Sequence, residues 1–137
     1  MRASAEKIQP IIALTVTCVS SLYEAPEAEP IRRHAPFNAT EASAAQLSDT
    51  AFASTDEITA INLLYPRLQE CQKNTLLQMS TSMLVLVPIL AQAYANTADR
   101  VTLLTEQKID WGEYNKKGRD AALKFQNQAL TALQNRS

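Results

Sequence analysis

Glycine is nearly missing from this sequence: Gly112 and Gly118 are the only two in 137 residues. Phosphate-cradling loops need several glycines where the backbone must approach an anion closely, so nucleotide-binding α/β folds are disfavoured. Histidine is scarcer still, with His34 alone. A di-iron bundle needs Glu-x-x-His motifs on its helices, and the C-terminal half holds no histidine, so no metal centre or other cofactor is expected. The two cysteines, Cys18 and Cys71, stand far apart and form no CxxC motif. Aromatics make up only 6% of the chain and alanine supplies much of its 46% apolar content, which predicts a modest core. Long apolar runs are absent too. Residues 74–98 carry no charge, but their strongly apolar part, Met83 to Ala95, contains Pro88 and Gln92 and falls short of the roughly 20 residues a membrane-spanning helix needs. A buried core helix, with Pro88 in its first turns, is the expectation.

What is present is helical periodicity and one well-marked corner. Ser54 or Thr55 can cap a helix whose first turn holds Asp56 and Glu57, and Ile58, Ile61, Leu64, Leu68 and Cys71 recur at spacings of three and four. Pro66 interrupts that stripe and predicts a kink or a break near Tyr65. Met83, Leu86, Leu90, Ala93, Thr97, Val101 and Leu104 make a second face, with Asp99, Arg100 and Glu106 mostly off it. Asp110 and Glu113 then have the spacing of a capping box, and Ile109 and Tyr114 that of a hydrophobic staple. Beyond this corner Tyr114, Gly118, Ala121, Phe125, Ala129 and Ala132 share a face, whose small residues suit close approach to a neighbouring helix or a second subunit. The fold class is therefore all-α: an antiparallel helical hairpin or small three-helix bundle over residues 55–137, reached through an extended N-terminal segment.

The N-terminal third reads differently. Arg2 and Lys7 flank a short charged region, and an apolar run from Ile11 to Val19 follows. The run, ending at Cys18, resembles the export signal of a bacterial lipoprotein, which implies lipid attachment at that cysteine; removal of residues 1–21 by cleavage after Ser20 or Ser21 is the alternative. Residues 22–54, acidic at Glu24, Glu27 and Glu29 and then rich in Ala, Ser and Thr, read as a flexible linker, with His34 a solvated loop residue. Cys18 and Cys71 are either one disulfide of an oxidising compartment or, with Cys18 lipidated or removed, a lone inert thiol at Cys71. A nucleophilic Cys71 would need a base or cation beside it.

The expectation for function is binding without catalysis. A small cell-envelope protein, periplasmic or lipid-anchored, would serve as accessory subunit or adaptor of a larger assembly; a bundle that takes up an apolar ligand or acts as a chaperone, or a cytosolic helical adaptor, is the alternative. Trp111 and Tyr114 at the corner are either interface aromatics or its plug. Lys116, Lys117 and Arg119 form a basic patch for an acidic partner or a plain solvated face. The formal charge of −1 divides into an acidic first part, four Lys/Arg against eight Asp/Glu over residues 1–57, and a mildly basic remainder, nine against six. Neither is charged enough to call for nucleic acid.

Overall fold

A computed structural model describes residues 2–136 of the chain, and among them 82% are helical and none lies in a strand. Six α-helices are present: α1 (Arg2–Tyr23), α2 (Glu29–Arg32), α3 (Ala44–Leu47), α4 (Thr55–Ser82), α5 (Val87–Thr105) and α6 (Trp111–Arg136). The all-α class stands, but four helices are long where two or three were expected. The additional one is α1, built from the stretch read as an export signal. Its Ile8, Ile11, Thr15 and Cys18 recur at spacings of three and four, an amphipathic stripe that the local apolar run conceals. That stripe lies antiparallel on α4. Cys18 is joined to Cys71 by a disulfide, the Thr15 and Thr75 hydroxyls sit 2.6 Å apart, and Ile8 and Ile11 share a buried cluster with Met79 and Met83. No single described helix is long and apolar enough to cross a membrane.

The helix α4 starts where its caps place it. Ser54 Oγ accepts from the Glu57 amide at 3.2 Å and the Glu57 carboxylate accepts from the Ser54 amide at 3.1 Å, a complete capping box. Pro66 neither breaks nor ends the helix, which continues to Ser82. Proline removes one ladder bond there, and α1 packs along the same helix. The chain turns at Met83, which leaves the helical region with φ −151° and ψ 74°, and a short 3-10 turn over Leu84–Leu86 leads into α5 with Pro88 in its first turn.

The second corner, between α5 and α6, follows a Schellman pattern. Gln107 takes φ 57°, the left-handed conformation usual for glycine, while the Lys108 amide donates to Leu103 O and the Gln107 amide to Leu104 O. Its side chain explains the glutamine: Nε2 donates to Ala53 O at 2.7 Å, tying the corner to the segment before α4. The N-terminal amides of α6 are then satisfied across chain segments. Trp111 N donates to Ala51 O, Gly112 N to Asp49 O, and Glu113 N to the Asp110 carboxylate at 2.8 Å. Asp110 thus caps as expected, whereas Glu113 pairs with Lys117 at 3.8 Å. Only glycine fits at 112, because a Cβ would stand 2.6 Å from Asp49 O and 2.8 Å from Leu47 O.

Residues 22–54 are folded on the bundle. This corrects the expected flexible linker: Ala28, Ala35 and Ala53 are buried, Arg32 donates to the carbonyls of Tyr23 and Ala25, and Asn115 of α6 donates to the carbonyls of His34 and Gln46. Low hydropathy here conceals small alanines that fit where larger side chains would not, and backbone carbonyls that serve as acceptors for α6.

Candidate functional site

Two places bring together residues that the sequence keeps apart. One is a polar clasp at the α5–α6 corner. His34 faces Asp49 through Nδ1 at 2.6 Å and Glu57 through Nε2 at 3.1 Å, and its ring lies parallel to that of Trp111 with centroids 5.0 Å apart. Trp111 Nε1 donates to the other Glu57 oxygen at 2.8 Å. His34 is therefore no solvated loop residue; its side chain is 19% exposed and both ring nitrogens are taken by carboxylates. The pairing is satisfied in full when the ring carries both protons. Burial pushes the Asp49 carboxyl up, but hydrogen bonds from His34 and the Ala51 amide, with the His34 charge, outweigh it and hold the group below the ordinary carboxylate range. Glu57 behaves alike: burial raises it, and Trp111, the Ser54 amide and His34 together bring it lower. Both ring nitrogens face carboxylates of this chain, so the group ties three chain segments together.

Trp111 is 1% exposed, so the aromatic is the plug of the corner and offers no surface to a partner. Tyr114 is half-buried, edge-on to Trp111 at 5.6 Å, and burial pushes its phenol up, with the nearby Arg100 charge pulling the other way. Lys116 and Lys117 are exposed, and Arg119 pairs with Asp120 at 3.3 Å. These three lie outside both places. The Cys18–Cys71 disulfide realises one of the alternatives for the cysteines and leaves no thiol on either residue.

The other place is a channel of about 470 Å³ running between the four long helices. Its walls come from α1 (Ile8, Ile12, Thr15, Val16), α4 (Leu68, Gln72, Thr75, Met79), α5 (Leu90, Ala93, Tyr94, Thr97, Arg100) and α6 (Gly118, Ala121, Ala122, Phe125, Ala129, Leu133), with Leu86 at one end and Ala39 at the other. The volume exists because α6 presents glycine and alanines, each too short to reach the opposite helices. The small-residue face lets α6 pack closely on α5, as expected, and leaves space open toward α1 and α4. Small-molecule sites span about 300–1,000 Å³ and are mostly apolar with few polar groups, a description this channel meets. Between Gly118 and Leu133 the α6 wall extends about 22 Å at 1.5 Å per residue, so the space is long and narrow.

Among the described residues Arg100 is the single charged one on this wall. Sequence reasoning placed it off the apolar face of α5, yet it lies three residues beyond Thr97 and seven beyond Ala93, spacings that carry it to the same side. Its Nη2 donates to Thr97 Oγ1 at 3.3 Å and its guanidinium carbon stands 5.9 Å from the Tyr114 ring centre. Nε and Nη1 are buried without a hydrogen-bond partner. Among the described residues no group of three or more His, Cys, Asp or Glu is placed to hold a metal. Comparison with known proteins finds no family model, no curated protein and no solved structure that matches this chain.

Proposed function

We propose that this protein is a non-catalytic carrier or receptor for an elongated apolar molecule, held in the channel between α1, α4, α5 and α6, and that it works in an oxidising compartment of the cell envelope. The observation that carries the reading is the channel itself: about 470 Å³ lined by aliphatic and small side chains in a chain with a modest core. The channel leaves apolar side chains such as Ile12 and Val16 facing water, and an apolar occupant that covers them stabilises by about 25 cal/mol per Å² of buried surface. The Cys18–Cys71 disulfide supports the compartment and fixes α1 as one wall. The accessory-subunit reading lost its best anchor when Trp111 proved buried.

The test is uptake of the uncharged fluorophore N-phenyl-1-naphthylamine, followed by fluorescence and by melting temperature. Saturable one-to-one binding is expected, and at a hundredfold excess over Kd it should add about 2.7 kcal/mol of stability, several degrees of Tm. Ala93→Leu with Ala129→Leu should fill the channel, preserve or raise the Tm of the empty protein, and abolish uptake. A wild-type protein that takes up no probe, or a filled variant that binds as well, would refute the reading.

A further inference from the structure

From the chemistry at the Arg100 end of the channel, we infer that the ligand is a single-chain carboxylate, a fatty acid anion whose head rests on this guanidinium and whose tail runs toward Leu133 and Ile8. The inference rests on the channel being a ligand site and adds the chemical class of what fills it.

Three observations lead to it. First, the guanidinium carries five N–H donors, and its only hydrogen bond to a described residue is the 3.3 Å contact from Nη2 to Thr97, with Nε and Nη1 buried and unpartnered. Buried donors are almost always satisfied, so a guanidinium left this way asks for an acceptor. No described carboxylate lies within ion-pair distance of it, and the channel wall holds no Asp, Glu or His. Arg100 also borders a second cleft with Asp99 and Asp120, neither within ion-pair distance of it, so on the channel side the acceptor is taken to be an anion from outside the chain. Second, the head end is narrow. Arg100 Nε and the Ala39 methyl group stand 3.6 and 3.7 Å from where a Cβ on Gly118 would be, within ordinary contact distance, which disfavours a bulky head; among anionic heads a planar carboxylate matches the guanidinium fork. Third, the far end is apolar. Leu90 of α5 packs in one cluster with Phe125, Ala129 and Leu133 of α6, and Ile8, Met79 and Leu86 complete it. One charged end, one apolar end and about 22 Å of α6 between them describe an amphiphile with a single extended chain.

The experiment compares palmitate with methyl palmitate, which has the same chain and no charge, by displacement of N-phenyl-1-naphthylamine from wild-type protein, Arg100→Met and Arg100→Lys. Palmitate is expected to bind wild type at least about tenfold tighter than the ester, the scale of hydrogen bonds to a charged group. Arg100→Met should erase that preference while leaving the affinity for the ester within about threefold, and Arg100→Lys should keep part of it, with the charge retained and the fork lost. Because the methionine variant removes an unsatisfied buried cation, its melting temperature without ligand should equal or exceed that of wild type; a Tm that collapses would overturn the inference by showing that Arg100 serves the fold. Equal binding of acid and ester by wild type, or a preference that survives Arg100→Met, also overturns it and leaves the apolar channel standing. If wild type binds neither lipid nor the fluorophore, the channel reading falls and this inference with it.

Discussion

The two ends of this bundle are built from the same helices and treat buried polar groups in opposite ways. At the clasp, Glu57 and Asn115 are buried and fully engaged: the carboxylate accepts from Trp111, Ser54 and His34, and the amide donates to two carbonyls. Trp111 is buried against His34, beside an apolar pocket of about 150 Å³. At the channel, glycine and alanines on α6 leave space where larger side chains would have closed it, and a guanidinium reaches that space unpaired. A buried donor without a partner costs about 1–3 kcal/mol, more when charged. A chain that matches donors to acceptors at one end does not lack the means to do so at the other. Folds depart from such consistency where function asks for it. On the proposed reading the clasp serves stability and the channel serves binding.

Truncation should break the comparison most sharply. Trp111→Ala removes a filled ring, its stacking on His34 and the donor to Glu57, and is expected to cost about 4 kcal/mol or more. Leu90→Ala, at the wall of a space already open, has fewer contacts to lose and should cost about 2 kcal/mol, near the low end for such changes. Urea unfolding of both variants checks this. Equal losses would mean the channel end is as tightly packed as the clasp.

Acid should act next, and on the clasp alone. Asp49 and Glu57 are held below the ordinary carboxylate range in the folded chain, so each contributes stability at neutral pH that disappears as pH falls through that range toward the folded values. The melting temperature should drop on acidification from about pH 5 downward. Paired Asp49→Asn and Glu57→Gln substitutions should lower stability at pH 7 and flatten the slope below pH 5. An unchanged slope would place the acid sensitivity elsewhere.

Much of this fold was legible because capping and periodicity are local. Ser54 and Glu57, Asp110, the stripe along α4 and Pro88 in the first turn of α5 all lie within a few residues of what they determine. The packing of residues 2–23 was hidden because a short apolar run after scattered charges suits both an export signal and an amphipathic helix, and only α4, some 60 residues away in sequence, shows that Thr15 meets Thr75. The clasp was hidden for the same reason: His34 meets Asp49, Glu57 and Asn115 at separations of 15, 23 and 81 residues, which no spacing rule links. Arg100 was closer to hand. Its position three residues after Thr97 was a usable signal, set aside because a charge on an apolar stripe reads as the edge of the stripe.

The smallest effect sharpens the comparison in the opposite direction. Gly118 lies in the interior of α6, where glycine costs about 0.5–1 kcal/mol relative to alanine through backbone entropy. A Cβ there would meet Arg100 Nε at 3.6 Å and Ala39 at 3.7 Å, ordinary contact distances, so Gly118→Ala has room and should stabilise the ligand-free protein by most of that amount. Gly112→Ala, at the clasp end of the same helix, would drive its Cβ into two carbonyl oxygens at 2.6 and 2.8 Å and should destabilise instead. A glycine retained where alanine fits is explained if the methyl group narrows the head of the channel. Gly118→Ala should then raise Tm by one or two degrees and weaken palmitate more than N-phenyl-1-naphthylamine. Stabilisation with both affinities unchanged would show that the head of the ligand does not sit against Gly118.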